Sequence, residues 1–474
     1  MSSLKPAAIL DGLKALPDED MAPSVVSKGQ IRVIAFLLGT SAALVGVNSS
    51  FLSADIPGPS IILLVIALIA VLLTPAGATI LKQRLTILDA AFIFYMLVRV
   101  LVETYNSVQL DHPPYSQILI GQLQIYLITW PPRLLIKNRE DLGVFLRAFA
   151  WPAAFVAILA LAQLLRVPGV QEWILANVRG DGLEARVAEG RQDIRATSTI
   201  GHWTYLGGYL SCVTAMVAVE ILSQKNRTRA RAMTAGSIVL IGLLLVGQVT
   251  TLTFATIALA GAILAVTILR MGVRPLVVLV ILISGAVAWA VFGQQVQERI
   301  DYQSATSTYN DPSLAWLPST VAYRLRIWES ETFPSIFQRP ITGWGTQLYD
   351  FTLTWPARPS YLAWLSPESQ WLSLWITGGI ISLGVFVLVL IAALVTILRA
   401  RRVLGKTLDP VIVLFIGLLI ISCISSQFSA PGSPYVFWAL IGSLIPFAQH
   451  TRDRKNGTEA IRLGGATTGR GSLR

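Results

Sequence analysis

The sequence predicts an all-α polytopic membrane protein with about twelve transmembrane helices, and three observations carry that reading. Of 474 residues, 54% are hydrophobic and 13% are charged, where a soluble domain has roughly 25% charged residues. Apolar runs recur from residue 31 to residue 447, most of them near the ~20 residues a helix needs to cross a hydrocarbon core. Lys and Arg gather on alternate connections between those runs, as in a chain threaded with its positive loops inside. Composition alone excludes a soluble fold.

Residues 1–30 are polar and lack a short apolar core ahead of a small-residue cleavage site, so they are expected to form a cytoplasmic tail. Five spans follow in the segment 31–165, at 31–47, 56–73, 85–103, 116–130 and 144–165. An extracytoplasmic loop at 166–200 leads to four spans in 201–292, at 203–222, 235–249, 252–269 and 275–292. A large extracytoplasmic loop at 293–370 precedes three spans in 371–448, at 371–398, 411–428 and 435–447, and a cytoplasmic tail at 449–474. With this threading, 26 of the 37 basic residues lie inside, among them Lys82, Arg84, Arg133, Arg147, Arg270 and Arg401. The positive-inside rule then puts both termini in the cytoplasm. The net charge of +11 marks topology and contact with anionic headgroups, not nucleic acid. Cys212 and Cys423, both in apolar runs, are expected to be buried thiols, too few for a disulfide framework or a cysteine metal site. Asp89 and Glu220 fall near inner span ends, where solvation would explain them.

Ten basic residues remain outside; all are arginines, and all lie in 166–200 or 293–370. Arginine suits a diphosphate or carboxylate that must be held by a planar fork of donors. The second loop is too long to be structureless. It should contain a helix over 320–333, with Val321, Leu325, Trp328 and Phe333 as apolar positions and Pro334 as its stop. On that helix Arg324 and Trp328 share a face, whereas Arg324 and Arg326 cannot both point one way. One would face a cavity and the other pair with Glu329 or water.

Three constellations could carry chemistry. In 191–209, Arg195, His202, Trp203 and Tyr205 would cluster at the outer surface, either as a site or as an aromatic belt with an arginine reaching the headgroups. His202 could instead cap a helix. In 323–345, the Gly343-Trp344-Gly345 turn allows close backbone approach, but a lone G-x-G is weak evidence and its glycines read first as a plain structural turn. In 366–375, Glu368 sits where a loop enters a helix, so the helix terminus would favour its charged form. It could act as a general base or merely cap that helix. Arg99, alone among basic residues at membrane depth, implies a cavity, an acidic partner or snorkelling. No Walker loop, H-E-x-x-H, C-x-x-C or nucleophile elbow occurs. The D-x-D at Asp18 to Asp20 lies in the inner tail, so no metal or cofactor is expected and arginines would neutralise a leaving phosphate.

Together these features resemble the O-antigen ligase and Wzy-type O-antigen (polysaccharide) polymerase family of bacterial inner membranes, over residues 191–398. The family has an arginine ahead of a mid-chain span opened by a small polar run, matched by Arg195 and then Gly201-His202-Trp203-Thr204. Its arginine four residues before a tryptophan in the large periplasmic loop is matched by Arg324 and Trp328, and its P-x-x-G-x-G turn by Pro340 to Gly345. Its His-Asn-x-aromatic-Leu motif before a glycine-rich helix corresponds to Glu368-Ser369-Gln370-Trp371-Leu372, then Gly378, Gly379 and Gly384. Glu368 and Ser369 replace His-Asn, which favours a polymerase over a ligase. Thr250, Thr251 and Leu252 replace the family's Ser-Arg-Gly, so no arginine is available at that turn.

The resemblance implies a glycosyltransferase of the C fold class in the bacterial inner membrane, both termini cytoplasmic. Its donor and acceptor would be undecaprenyl diphosphate-linked glycans and its leaving group undecaprenyl diphosphate. Membrane lipids are further partners, and a chain-length regulator is an open one. Arg195, Arg324 and Glu368 would be catalytic: the arginines hold the diphosphate and Glu368 accepts the proton of the attacking hydroxyl. Arg191 and Arg326 would assist, Trp328, Trp344 and Trp371 would be sugar platforms, and His202, Tyr205 and Arg99 would complete the substrate-binding set. A lipid-linked oligosaccharide flippase or secondary carrier suits the span count equally well, although carriers place ionisable groups at the midplane. A noncatalytic scaffold is the remaining alternative.

Overall fold

The structure, a computed structural model, describes residues 26–48, 58–111, 117–188, 195–223, 227–271, 275–304, 317–346 and 366–468. Arg191 lies outside them. Among the described residues no strand forms, and one isolated bridge joins Val47 to Val178. The first helices are α1 (Lys28–Ala43), α2 (Pro59–Leu72), α3 (Ile87–Leu110), α4 (Gln117–Leu127), α5 (Trp130–Leu135) and α6 (Arg139–Ala150), which runs into α7 (Pro152–Leu164). Two short helices follow, α8 (Val170–Asn177) and α9 (Asp181–Ala188), then α10 (Trp203–Ser223), α11 (Arg227–Thr250), α12 (Phe254–Met271) and α13 (Pro275–Ser304). The large loop contributes α14 (Ser319–Ile327) and α15 (Phe333–Gln338), and the chain ends with α16 (Gln370–Leu404), α17 (Asp409–Ile421) and α18 (Ser433–Thr468).

Each apolar segment read from the sequence falls on a helix. Among the described residues, Arg139–Leu164, Trp203–Ser223, Phe254–Met271 and Gln370–Ile421 are runs long and apolar enough to cross a membrane, and Pro59–Leu72 and Gly236–Thr250 are shorter apolar helices. The protein is a helical membrane protein.

Local chemistry sets the helix starts. Ser27 and Gln30 form a capping box ahead of α1: the Gln30 N–H donates to Ser27 Oγ at 3.3 Å and the Ser27 N–H to Gln30 Oε1 at 3.2 Å. Thr86 and Asp89 do the same for α3, at 3.2 and 2.6 Å. The Asp89 carboxylate is then used again, accepting from Arg133 Nη1 at 2.8 Å with both side chains 1% exposed. Glu220 is equally enclosed, paired with Arg147 and accepting from Ser237 Oγ at 2.8 Å. The expectation that solvent explains Asp89 and Glu220 is therefore corrected: α5 and α6 bring arginines onto them, and a buried charge needs such a partner.

α10 is the axis of the molecule. Every residue from Leu206 to Glu220 is buried, because α6, α11, α12, α17 and α18 all pack on it. Gly207 and Gly208 let the Thr256 and Gln427 side chains lie directly on its backbone. Beside it, α16 packs against α3 and α18. Three further boundaries differ from expectation. α13 runs on to Ser304 rather than ending near 292. α17 stops at Ile421 rather than 428, where the Ser422 carbonyl receives the Gln370 N–H at 2.9 Å. Cys423 consequently lies in a turn and is exposed, whereas Cys212 is buried as expected. Finally, Pro334 does not stop the loop helix but opens α15, since a residue without an N–H fits a first turn. A π-turn at Trp328–Thr332 bridges α14 and α15.

Candidate active site

The floor of the site is a break in α16. Gly379 has φ 66° and ψ −178° inside an otherwise helical run. The exposed backbone groups are taken up by the Pro340 to Gly345 turn: Trp344 N–H donates to Ile376 O and Gly345 N–H to Thr377 O, both at 2.9 Å, and Ile380 N–H to Pro340 O at 2.9 Å. A Cβ at Gly343 would lie 2.7 Å from the Gly378 and Gly379 nitrogens, so this docking needs glycine. Arg99 and Glu103 of α3 clasp the same turn. Arg99 Nη2 donates to Thr346 Oγ1 at 3.0 Å, and that hydroxyl donates to Glu103 Oε2 at 2.9 Å. Arg99 thus finds its acid through Thr346, and the contacts seen here bind it to the turn.

This platform fixes the start of α16. Ser369, not Glu368, is the helix cap, accepting from the Leu372 N–H. Glu368 is left one residue outside, with φ 47°, a left-handed conformation that is uncommon away from glycine. Two contacts hold it there: Trp328 Nε1 donates to Pro367 O at 2.7 Å, and the Glu368 N–H donates to Ser366 Oγ at 3.3 Å. The Glu368 carboxylate pairs with Arg324 Nη2, and Arg324 Nη1 donates to Thr320 O at 3.0 Å. The helical face predicted to carry Arg324 and Trp328 is therefore the face that meets 367–368. Arg326 is exposed.

Arg195 approaches from the other loop. Its Nε donates to Thr251 O at 3.1 Å and its Nη2 to Leu252 O at 3.1 Å and Thr253 Oγ1 at 2.8 Å, with the residue 6% exposed. The turn that lacks an arginine of its own is thereby gripped by this one. Arg195 also lies 4.7 Å from the Trp203 ring centroid, and Arg186 lies 4.5 Å from it. The sequence reading overlooked Arg186, one of several loop arginines with no local motif to distinguish it.

His202 stacks on Trp203 and Tyr205 with ring centroids 4.2 and 4.6 Å away. Its Nδ1 accepts from the Thr204 N–H at 3.2 Å, which leaves the proton on Nε2. Burial first, and then the charges of Arg195, Arg186 and Arg324, push its pKa down to about 3. All three arginines thus lie within electrostatic range of the one imidazole. Tyr205 in turn lies within electrostatic range of Glu368. Arg324 meets Glu368 directly and Arg195 packs on Trp203 next to His202, while His202 and Tyr205 lie within electrostatic range of Arg324 and of Glu368 respectively. Among the described residues five non-glycines have positive φ, and three of them, Ser198, Leu252 and Glu368, belong to these segments. Such strain persists where the surroundings over-determine it, and it concentrates at functional sites.

Two proposed sugar platforms are placed elsewhere. Trp344 is 5% exposed, packs with Leu110, Ile336 and Ile376, and donates through Nε1 to Ser335 O at 2.9 Å. Its ring is enclosed because the glycine turn docks into α16, so it presents no open face. Trp371 is half-buried at the edge of the main core, 6.3 Å from Phe386. Trp328 is partly open, with its indole N–H on the Pro367 carbonyl next to Glu368.

No curated protein matches the chain. The family model described as O-antigen ligase matches residues 236–387, from α11 through the Arg324, Trp328 and Glu368 segments to the helix beyond the Gly379 break. That match supports the O-antigen ligase and Wzy family for this chain, and with it, in general terms, a glycosyl-transferring membrane enzyme acting on lipid-linked glycans.

Proposed function

We propose that the protein is a polysaccharide polymerase of the periplasmic face of the inner membrane, joining undecaprenyl diphosphate-linked repeat units, with twelve spans of the C fold class and both termini cytoplasmic. The observation that supports this reading is the Arg324–Glu368 ion pair, with Arg324 and Arg195 both within electrostatic range of His202.

In this mechanism the acceptor hydroxyl forms a bond to the anomeric carbon of the donor sugar as the bond from that carbon to the phosphate oxygen breaks. The electron pair leaves on undecaprenyl diphosphate, and the hydroxyl proton passes to Glu368. Fixed guanidinium groups at Arg195 and Arg324 stabilise the charge that grows on the leaving diphosphate, which lowers the barrier. Before the donor arrives, Arg324 is engaged with Glu368. A diphosphate carries more negative charge than one carboxylate, so its arrival draws Arg324 away and frees Glu368 to act as base. The neutral His202 offers its Nε2–H as a donor without adding to the local charge.

The test is the product formed by the purified chain from lipid-linked repeat units. Polymer supports the reading. Transfer only to lipid A core would replace it with a ligase, and movement of the donor across the bilayer without bond formation would replace it with a flippase.

A further inference from the structure

On the opposite side of the molecule, α1 and α6 enclose a lateral groove of about 470 Å³, within the roughly 300–1,000 Å³ range of small-molecule sites. Its walls are Val33, Phe36, Val144 and Trp151, and its two cations are Arg32 and Arg147. Val33, Phe36 and Trp151 are 60%, 50% and 42% exposed, so the groove opens outward rather than into the bundle. Lys28 pairs with Glu140 at the inner ends of the same helices. At 1.5 Å per residue, Arg32 lies about 6 Å deeper than Lys28 along α1, and Arg147 about 10 Å deeper than Glu140 along α6.

The cations are incompletely answered. Arg32 makes no ion pair among the described residues. Arg147 pairs with Glu220, but its Nε is buried and donates to none of the described residues. On the membrane reading with a cytoplasmic amino terminus, on which this inference rests, the groove faces the inner leaflet. Acyl chains alone would fill it and leave Arg32 without an anion and the Arg147 Nε without an acceptor. A free phosphate would satisfy the guanidiniums and leave the apolar walls bare. A zwitterionic lipid brings its own competing cation. We infer that the groove binds an anionic phospholipid, its phosphate between Arg32 and Arg147 and one acyl chain along Phe36 and Trp151.

The full chain, extracted in mild detergent without any glycan donor, is presented with phosphatidylglycerol, phosphatidylcholine or inorganic phosphate, and bound lipid is counted by native mass spectrometry. Phosphatidylglycerol is expected to be retained selectively, Arg32→Gln to weaken it about fivefold with phosphatidylcholine unchanged, and Val33→Trp, which fills the wall, to weaken both. Equal retention of the two lipids, or an Arg32→Gln variant indistinguishable from the parent, overturns the inference. Displacement of the lipid by millimolar phosphate also overturns it, since that marks a free-anion site. The readout uses no transferase activity, so its failure and the failure of the polymerase reading are separate events.

Discussion

Asp89 and Arg133, on the side read as cytoplasmic, are each 1% exposed, whereas Glu368 and Arg324, on the opposite side, are 46% and 18% exposed. The inner pair is built into helices, with Asp89 doubling as a cap in regular geometry. The outer carboxylate stands one residue outside a helix, in left-handed backbone held by a tryptophan and a serine. The same residue types therefore do different work. Sealed between helices, an acid and an arginine neutralise each other and hold the bundle. Held open on strained loop backbone, they can exchange partners when a more highly charged ligand arrives.

The largest expected effect breaks the inner pair. Asp89→Ala leaves the Arg133 guanidinium buried and uncompensated, and should cost about 3–5 kcal/mol of stability, seen as a lowered unfolding midpoint in detergent and reduced abundance. Arg324→Ala should do the reverse. The pair it removes is partly exposed and worth only about 0–1 kcal/mol, so the unfolding midpoint stays put, while loss of one charge-stabilising donor slows chain growth roughly 10²–10³-fold. A variant that unfolds like Asp89→Ala would erase the contrast between the two regions.

His202 sharpens it through pH. Its folded-state pKa near 3 lies below its ordinary 6.5, so between those values the unfolded chain binds more protons. The stabilisation is complete above pH 6.5 and is lost as pH falls towards 3. Unfolding of His202→Asn, measured across that window, should lack this acid-dependent loss. The smallest effect is at Trp328→Phe. Losing the indole donor to Pro367 costs about 1 kcal/mol, read as a several-fold fall in turnover through a less firmly held Glu368.

The inner and outer regions were unequally legible in sequence. Outer arginines stood out because topology gives them no reason to be there, and that logic singled out Arg195 and Arg324 as candidates. Arg186 was missed because its pairing with Trp203 joins α9 to the start of α10, an approach that no local pattern encodes. Helix starts at Ser27 and Thr86 follow from neighbours three residues apart, but the burial of Asp89 and Glu220 depends on which distant helix lands on them. Trp344 was misread for a related reason: its turn docks on the Gly379 break, and only that docking encloses the indole.

The central claim is that Arg195 and Arg324 grip one diphosphate. It is tested most directly by a double-mutant cycle, measuring undecaprenyl diphosphate binding to the chain in lipid nanodiscs for the parent, Arg195→Gln, Arg324→Gln and the double variant, with undecaprenol as the uncharged control. The account predicts that each single change weakens diphosphate binding, that undecaprenol binding is unaffected, and that the two losses are non-additive, as for groups sharing one ligand. Parent-like diphosphate binding in both single variants would contradict it.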